Sequence, residues 1–231
     1  MFNPETPPEL MVTRWINAPQ PMTLKALKGR VVVVVAFQML CPGCVEHGLP
    51  QAKRIREKFS QDEVVVLGLH SVFEHHAVMT EAALEVFLGE YRWPYPVAID
   101  QPDGDGVPKT MAAYQMQGTP TLLIFDRAGR LRRHYFGRPD DMLLAAEITA
   151  MALEDADSPR EQASAIEKKL AKALAAAKHD HDHGHDHGHD HGHGGHDHGH
   201  GDACGCGHDH SHDHGHDHKH DHGHGEHKGQ R

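Results

Sequence analysis

Along most of the chain, short apolar runs alternate with segments whose apolar residues recur every three or four positions. Val31–Gln38 is apolar and largely β-branched until its end, the pattern of a strand buried on both faces. Val45–Ser60 predicts a helix, with Val45, Leu49, Ala52, Ile55, Arg56 and Phe59 near one face. Glu63–Leu69 predicts a second buried strand. Thr80–Tyr91 predicts a helix with Thr80 as N-cap and Ala83, Leu84, Phe87 and Leu88 turned inward. Pro96–Ile99 is a short strand, and Lys109–Gln117 a short helix with Pro108 in its first turn and Gly118 as its stop. Thr121–Phe125 and Arg130–Phe136 pair through the turn Asp126-Arg127-Ala128-Gly129, and Asp140–Leu153 is a closing helix. Strands alternating with helices and ending in a hairpin and a helix predict an α/β domain: a central mixed sheet flanked by helices.

Ser158-Pro159 opens a further helix, with a narrow stripe at Ala163, Ile166, Leu170 and Leu174. Packing on the body, a dimer seam and a spacer all suit it, and a spacer is the expectation. From His179 onward, His, Asp and Gly alternate, and 21 of the 26 histidines lie there. Such a segment cannot bury enough apolar area to offset chain entropy, so it is expected to be disordered without metal. The expected organisation is an N-terminal extension over 1–14, one domain over 15–155, a helical spacer over 156–178 and a tail over 179–231.

Charge sharpens this division. Most of the net −10 belongs to the tail, leaving the body close to neutral. Nothing is basic enough to suggest a nucleic-acid partner. Met1–Gln20 lacks a positive patch followed by an apolar stretch, and Val31–Phe37 is too short to span a membrane. A cytoplasmic protein is the expectation, in which the 4 cysteines are not structural disulfides.

Candidate chemistry concentrates at Cys41-Pro42-Gly43-Cys44, where a strand hands over to a helix. A thiol at a helix N-terminus meets free N–H groups and the helix dipole, which favour the thiolate that attacks disulfides and peroxides. The second thiol is close enough to bridge the first. Half of a zinc site is the other reading, but the body has no second Cys pair, and His47, His70, His75, His76 and His134 show no paired-ligand spacing. Gly118-Thr119-Pro120-Thr121 lies between a short helix and a strand. A cis Pro120 would present a backbone edge, with Thr119, beside the thiols for a substrate peptide; a trans proline opening a strand fits the spacing equally well. His70-Ser71 and Glu74-His75-His76 follow the second core strand and read as a solvated loop near the redox face. Asp100, Asp103 and Asp105 lack a closing Glu for a calcium loop and read as a turn. Trp93, Tyr91 and Tyr95 read as packing.

In order, Trp15-Ile16-Asn17, Leu24–Arg30, Cys41-Pro42-Gly43-Cys44, Pro96–Asp100 and Gly118–Gly129 resemble the thioredoxin-like superfamily over roughly Trp15 to Leu153. The nearest likeness is to TlpA/ResA-like thiol–disulfide oxidoreductases and redoxin (AhpC/TSA-like) domains. The resemblance implies Cys41 as attacking thiol, Cys44 as resolving thiol and Pro120 as a cis proline. It implies a protein or small-molecule disulfide or peroxide as substrate, and a thioredoxin or glutathione system as reductant. No cofactor is required for that thiol chemistry. Two positions depart from the family pattern: Leu40 stands where a Trp is usual, and Val35 where a buried carboxylate or amide is common. Glu46 and His47 are then the candidate proton acceptors for Cys44. Pro42-Gly43-Cys44 with His47 and Leu49-Pro50 also resembles the active-site segment of atypical peroxiredoxins, in which Cys44 would attack peroxide; Cys41 and Phe37 break that pattern.

The tail has its own chemistry. Imidazoles recur every second or third residue with carboxylates between them, and Cys204 and Cys206 add two thiols. Cys204, Cys206, His196, His198, His200, His208, His210 and His212 are the expected ligands for divalent metal, zinc or nickel first and copper after them. A metal buffer or chaperone whose body only docks a partner is the alternative to an enzyme.

Overall fold

The computed structural model describes residues 2–179. Its strands are β1 (Val12–Ile16), β2 (Val31–Phe37), β3 (Val64–His70), β4 (Val97–Asp100), β5 (Thr121–Phe125) and β6 (Leu131–Phe136). Its α-helices are α1 (Leu49–Lys58), α2 (Glu81–Glu90), α3 (Lys109–Ala113), α4 (Asp141–Ala152) and α5 (Arg160–His179). One sheet has the order β1-β4-β3-β2-β5-β6. β2, β3 and β4 are parallel, and β1, β5 and β6 join antiparallel, so the sheet is mixed as expected.

The central strands are apolar throughout because both faces are covered. Val31, Val33, Val35 and Phe37 pack with Leu49, Ala52, Ile55, Leu84, Leu144 and Ile148 of α1, α2 and α4. Val32, Val34 and Ala36 face Leu24, Leu27, Met111 and Tyr114 on the other side. Truncating a buried Leu or Ile of this core to Ala costs about 2–5 kcal/mol. Gly68 in β3 is required by crowding, since a Cβ there would stand 2.9 Å from Val97 and 3.3 Å from Phe37. Thr80 caps α2 as expected, accepting the Ala83 N–H at 3.2 Å, with Leu84 and Leu88 buried.

Four expectations change. Of the segment 1–14 expected as an extension, the described residues 2–14 are part of the domain. Val12–Ile16 is an edge strand on β4, Leu131 N–H bonds Pro4 O at 2.8 Å, and Phe2 packs on Tyr114 at 5.1 Å. Tyr114 Oη also donates to Pro8 O. In α1 the buried polar residue is Gln51, which donates to Pro139 O at 2.8 Å and Asp141 at 2.6 Å, while Arg56 is half-buried. Helix α3 ends at Ala113, before the predicted Gln117, because Gln115 takes φ +54° and Met116 N–H folds back to Met111 O. Its Lys109 N–H goes to Gln101 O at 2.8 Å, and its next two go to buried Asp100, which accepts from Thr110 N at 2.8 Å, Met111 N at 3.1 Å and Ser71 Oγ at 2.9 Å. Finally, the first half of α5 is docked rather than a spacer. Ala163 is buried, and Glu167 pairs with Arg132 at 2.8 Å and Arg133 at 2.9 Å.

Candidate active site

β2 delivers the chain to the site: Gln38 and Met39 are buried, and Leu40 is 55% exposed. The backbone then turns, with Cys44 N–H and Val45 N–H both bonding Cys41 O, at 3.0 and 3.1 Å. A wide π-type turn over Cys44–Gly48 leads into α1. The two thiols are not disulfide-bonded. Cys41 is half-buried, and its Sγ accepts Cys44 N–H at 3.2 Å. Its thiol lies 3.4 Å from Thr119 O, to which it donates. Cys44 is wholly buried, and that burial, helped by the bond to Cys41, pushes its thiol up to about 12.

The Thr119–Pro120 peptide is cis. Thr121 Oγ1 donates to Gly118 O at 2.7 Å, and Gly137 N–H bonds Pro120 O at 2.8 Å, which holds the loop at the start of β5. Pro120 lies directly against the thiol turn. A Cβ on Gly48 would come within 2.6 Å of Pro120 Cβ, and one on Gly43 within 3.5 Å of Pro120 Cδ. Cys41, Cys44, Thr119 and Pro120 are thus brought together. Gly48 was not singled out in the sequence; an isolated glycine inside a helical pattern was the available signal.

The other candidates fall elsewhere. Val35 is a core residue and offers no proton acceptor to Cys44. Glu46 and His47 are exposed and 4.0 Å from each other. Gln38 was also missed: it donates to Glu74 at 3.2 Å and accepts Phe73 N–H at 3.3 Å, tying the loop after β3 to the end of β2. His70 is buried at 5.3 Å from the Phe37 ring, and desolvation lowers its pKa to about 4. Trp93 and Tyr95 are buried edge to face. Beside the thiol turn, Val45, Leu49, Pro50, Lys53, Phe87, Tyr91 and Trp93 line a groove of about 250 Å³. Trp93 therefore both packs and lines a surface next to Cys44. Among the described residues no three His, Cys, Asp or Glu stand close enough to hold a metal ion, and no helix is long and apolar enough to cross a membrane. Cys204, Cys206 and the tail histidines lie outside the described residues.

A mixed sheet with flanking helices and a dithiol turn packed on a cis-proline loop define a thioredoxin-like redox protein. The chain belongs to the redoxin family, which matches residues 8–143. A solved thioredoxin-like superfamily protein is 54% identical, covers 64% of this chain and 96% of its own, and superposes with a TM-score of 0.63. A thiol-disulfide isomerase from Corynebacterium glutamicum is 45% identical, over 65% of this chain and 97% of its own, also with a TM-score of 0.63. Protein DipZ of Mycobacterium bovis is 25% identical over 138 residues, 58% of this chain. The chain spans 19% of the length of that curated relative.

Proposed function

We propose that this chain is a thiol–disulfide oxidoreductase in which Cys41 attacks and Cys44 resolves. The observation that carries the reading is the pairing of a reachable Cys41 sulfur with a wholly buried Cys44 behind it, against the Thr119–Pro120 edge. Cys41 Sγ attacks a sulfur of the substrate disulfide and releases the first substrate thiol. The Cys44 N–H, 3.2 Å away, meets the charge on Cys41 Sγ as bonds are exchanged. Cys44 then loses its proton, attacks Cys41 Sγ and releases the second thiol, leaving a Cys41–Cys44 disulfide. The 45% identical isomerase acts on thiol–disulfide pairs by its name, which supports the same substrate class here. A peroxidatic role for Cys44 is disfavoured, because a buried thiol pushed up to about 12 is neither reachable nor ionised near neutral pH.

Reduction of a disulfide substrate tests this. Cys41→Ser is expected to abolish it, and Cys44→Ser to stop it at a mixed disulfide visible by mass. Equal activity in wild type and both variants would refute the reading.

We further propose that the tail binds divalent metal through His196, His198, His200, His208, His210, His212, Cys204 and Cys206. Support comes from the density of imidazole and thiol groups in the sequence. Titration of zinc or nickel into the full chain, and into one ending at His179, should show sites in the first only. Binding should weaken below about pH 6, as imidazoles protonate. Equal stoichiometry in the two chains would reject the tail as the site.

A further inference from the structure

We propose that the groove beside the thiol turn takes an aromatic side chain of a polypeptide substrate, about two to four residues from the sulfur that Cys41 attacks, with Lys53 drawing an acidic residue next to it. This rests on the oxidoreductase reading and adds the class of substrate.

The groove is continuous with the redox site. Val45 lines it, directly follows Cys44, and gives its N–H to Cys41 O at 3.1 Å. From Val45 one wall runs along the chain to Lys53, about 12 Å at helical rise. The groove therefore starts one turn from Cys41 and is centred about 10 Å from it. Extended chain advances about 3.3 Å per residue, so a polypeptide bonded at Cys41 reaches the groove about two to four residues on.

The opposite wall is aromatic and held from the core. Phe37, the last residue of β2, stacks on Phe87 at 6.4 Å, and Phe87 packs on exposed Tyr91 at 4.6 Å. Trp93 is fixed by Tyr95, edge to face at 5.1 Å. Rings so placed favour an arriving ring, offset or edge to face, beyond the area it buries. A wall already in place needs no ordering when the substrate arrives.

Size and charge then select the occupant. The groove holds about 250 Å³, below the roughly 300–1,000 Å³ of sites that enclose a whole small molecule. It suits a single large side chain, while the reacting sulfur lies outside it, at Cys41. A ligand that meets both is a chain. Lys53 is the charged residue of the lining, which holds no carboxylate. Its neighbour Arg54 pairs with Asp141 at 3.0 Å, whereas Lys53 pairs with none of the described carboxylates. An acidic residue of the substrate supplies the missing partner.

The test uses the reduced full chain and short Gly/Ser peptides whose single cysteine carries a chromogenic aromatic thiol in disulfide linkage. Release of that thiol reports attack by Cys41. Each rate constant is divided by the same protein's rate on the disulfide of the chromogenic thiol with a small aliphatic thiol. A Phe about two to four residues from the cysteine should raise this ratio about tenfold over Ala, as burial of an aromatic side chain does. A Glu next to the Phe should favour the peptide about threefold over a Lys there. Lys53→Glu should reverse that Glu–Lys order, a change that loss of fold alone does not produce. Tyr91→Ala, at an exposed position, should bring the Phe advantage below about threefold. Equal ratios for the Phe and Ala peptides overturn the inference, as does an unchanged Glu–Lys order in Lys53→Glu. A Phe advantage that grows as the protein is diluted would put a second copy of the chain in the groove, and overturns it too. Each of these results leaves the oxidoreductase reading standing. A Cys41→Ser chain as active as wild type on every disulfide would instead remove that reading, and the inference with it.

Discussion

Gly48 carries no reactive group, yet the contact between the thiol turn and the proline loop depends on it. A methyl group there would stand 2.6 Å from Pro120 Cβ and 3.1 Å from Cγ, and neither backbone can yield without moving Cys41 relative to Thr119 O. Gly48→Ala is expected to cost about 1–3 kcal/mol in denaturant unfolding and to slow disulfide reduction more than this loss of fold explains. The glycine's partner lies 72 positions away, which is why the local pattern around Gly48 looks like ordinary helix. Cys41, Cys44 and Pro120 were legible because each residue type brings its own chemistry. The burial of Cys44 was not, since it depends on what β2, α1 and the proline loop bring over it. That burial has a kinetic signature. Raising the thiol to about 12 leaves Cys44 protonated across the neutral range, so ionisation limits the resolving step. The decay of the Cys41–substrate mixed disulfide should therefore quicken about tenfold per pH unit from pH 7 to 9. A flat profile in stopped-flow measurements would show that another group takes the Cys44 proton.

Most elements follow from period alone: the buried central strands, the capped α2 and the β5–β6 hairpin lie where alternation and turn residues put them. β1 escaped notice because it is an edge strand of five residues, partly exposed, whose partner β4 comes 85 positions later. The charged stretch in β6 hid its own role. The Arg132 side chain is fully buried between Asp126 at 2.9 Å and Glu154 at 2.8 Å, with Glu167 at 2.8 Å. A sequence window cannot show this, because the carboxylates come from the hairpin, the α4–α5 connection and α5. Arg132→Leu would strand two buried carboxylates, and a loss of about 3–5 kcal/mol is expected in equilibrium unfolding. A loss below ~1 kcal/mol would mean that the cluster relaxes into solvent.

On the scale of the molecule, both ends of the described chain converge on β6. Pro4 O takes the Leu131 N–H, Glu5 pairs with Arg160 at 3.2 Å, and Glu167 pairs with Arg132 and Arg133. Arg132 and Arg133 reach the same Glu167 oxygen, because the register with β5 slips between Ile124 and Phe125 and leaves Arg132 as the extra residue, so strict alternation is broken there. Glu167→Gln is expected to lower amide-exchange protection in α5 while leaving β2 and β3 protected. β6 ends the sheet, and an uncovered end strand offers a ladder of hydrogen-bonding groups to any other chain. The first rung of that ladder is taken by Pro4, whose O accepts the Leu131 N–H at 2.8 Å, so peeling the N-terminal segment away would widen the template for strand-to-strand aggregation.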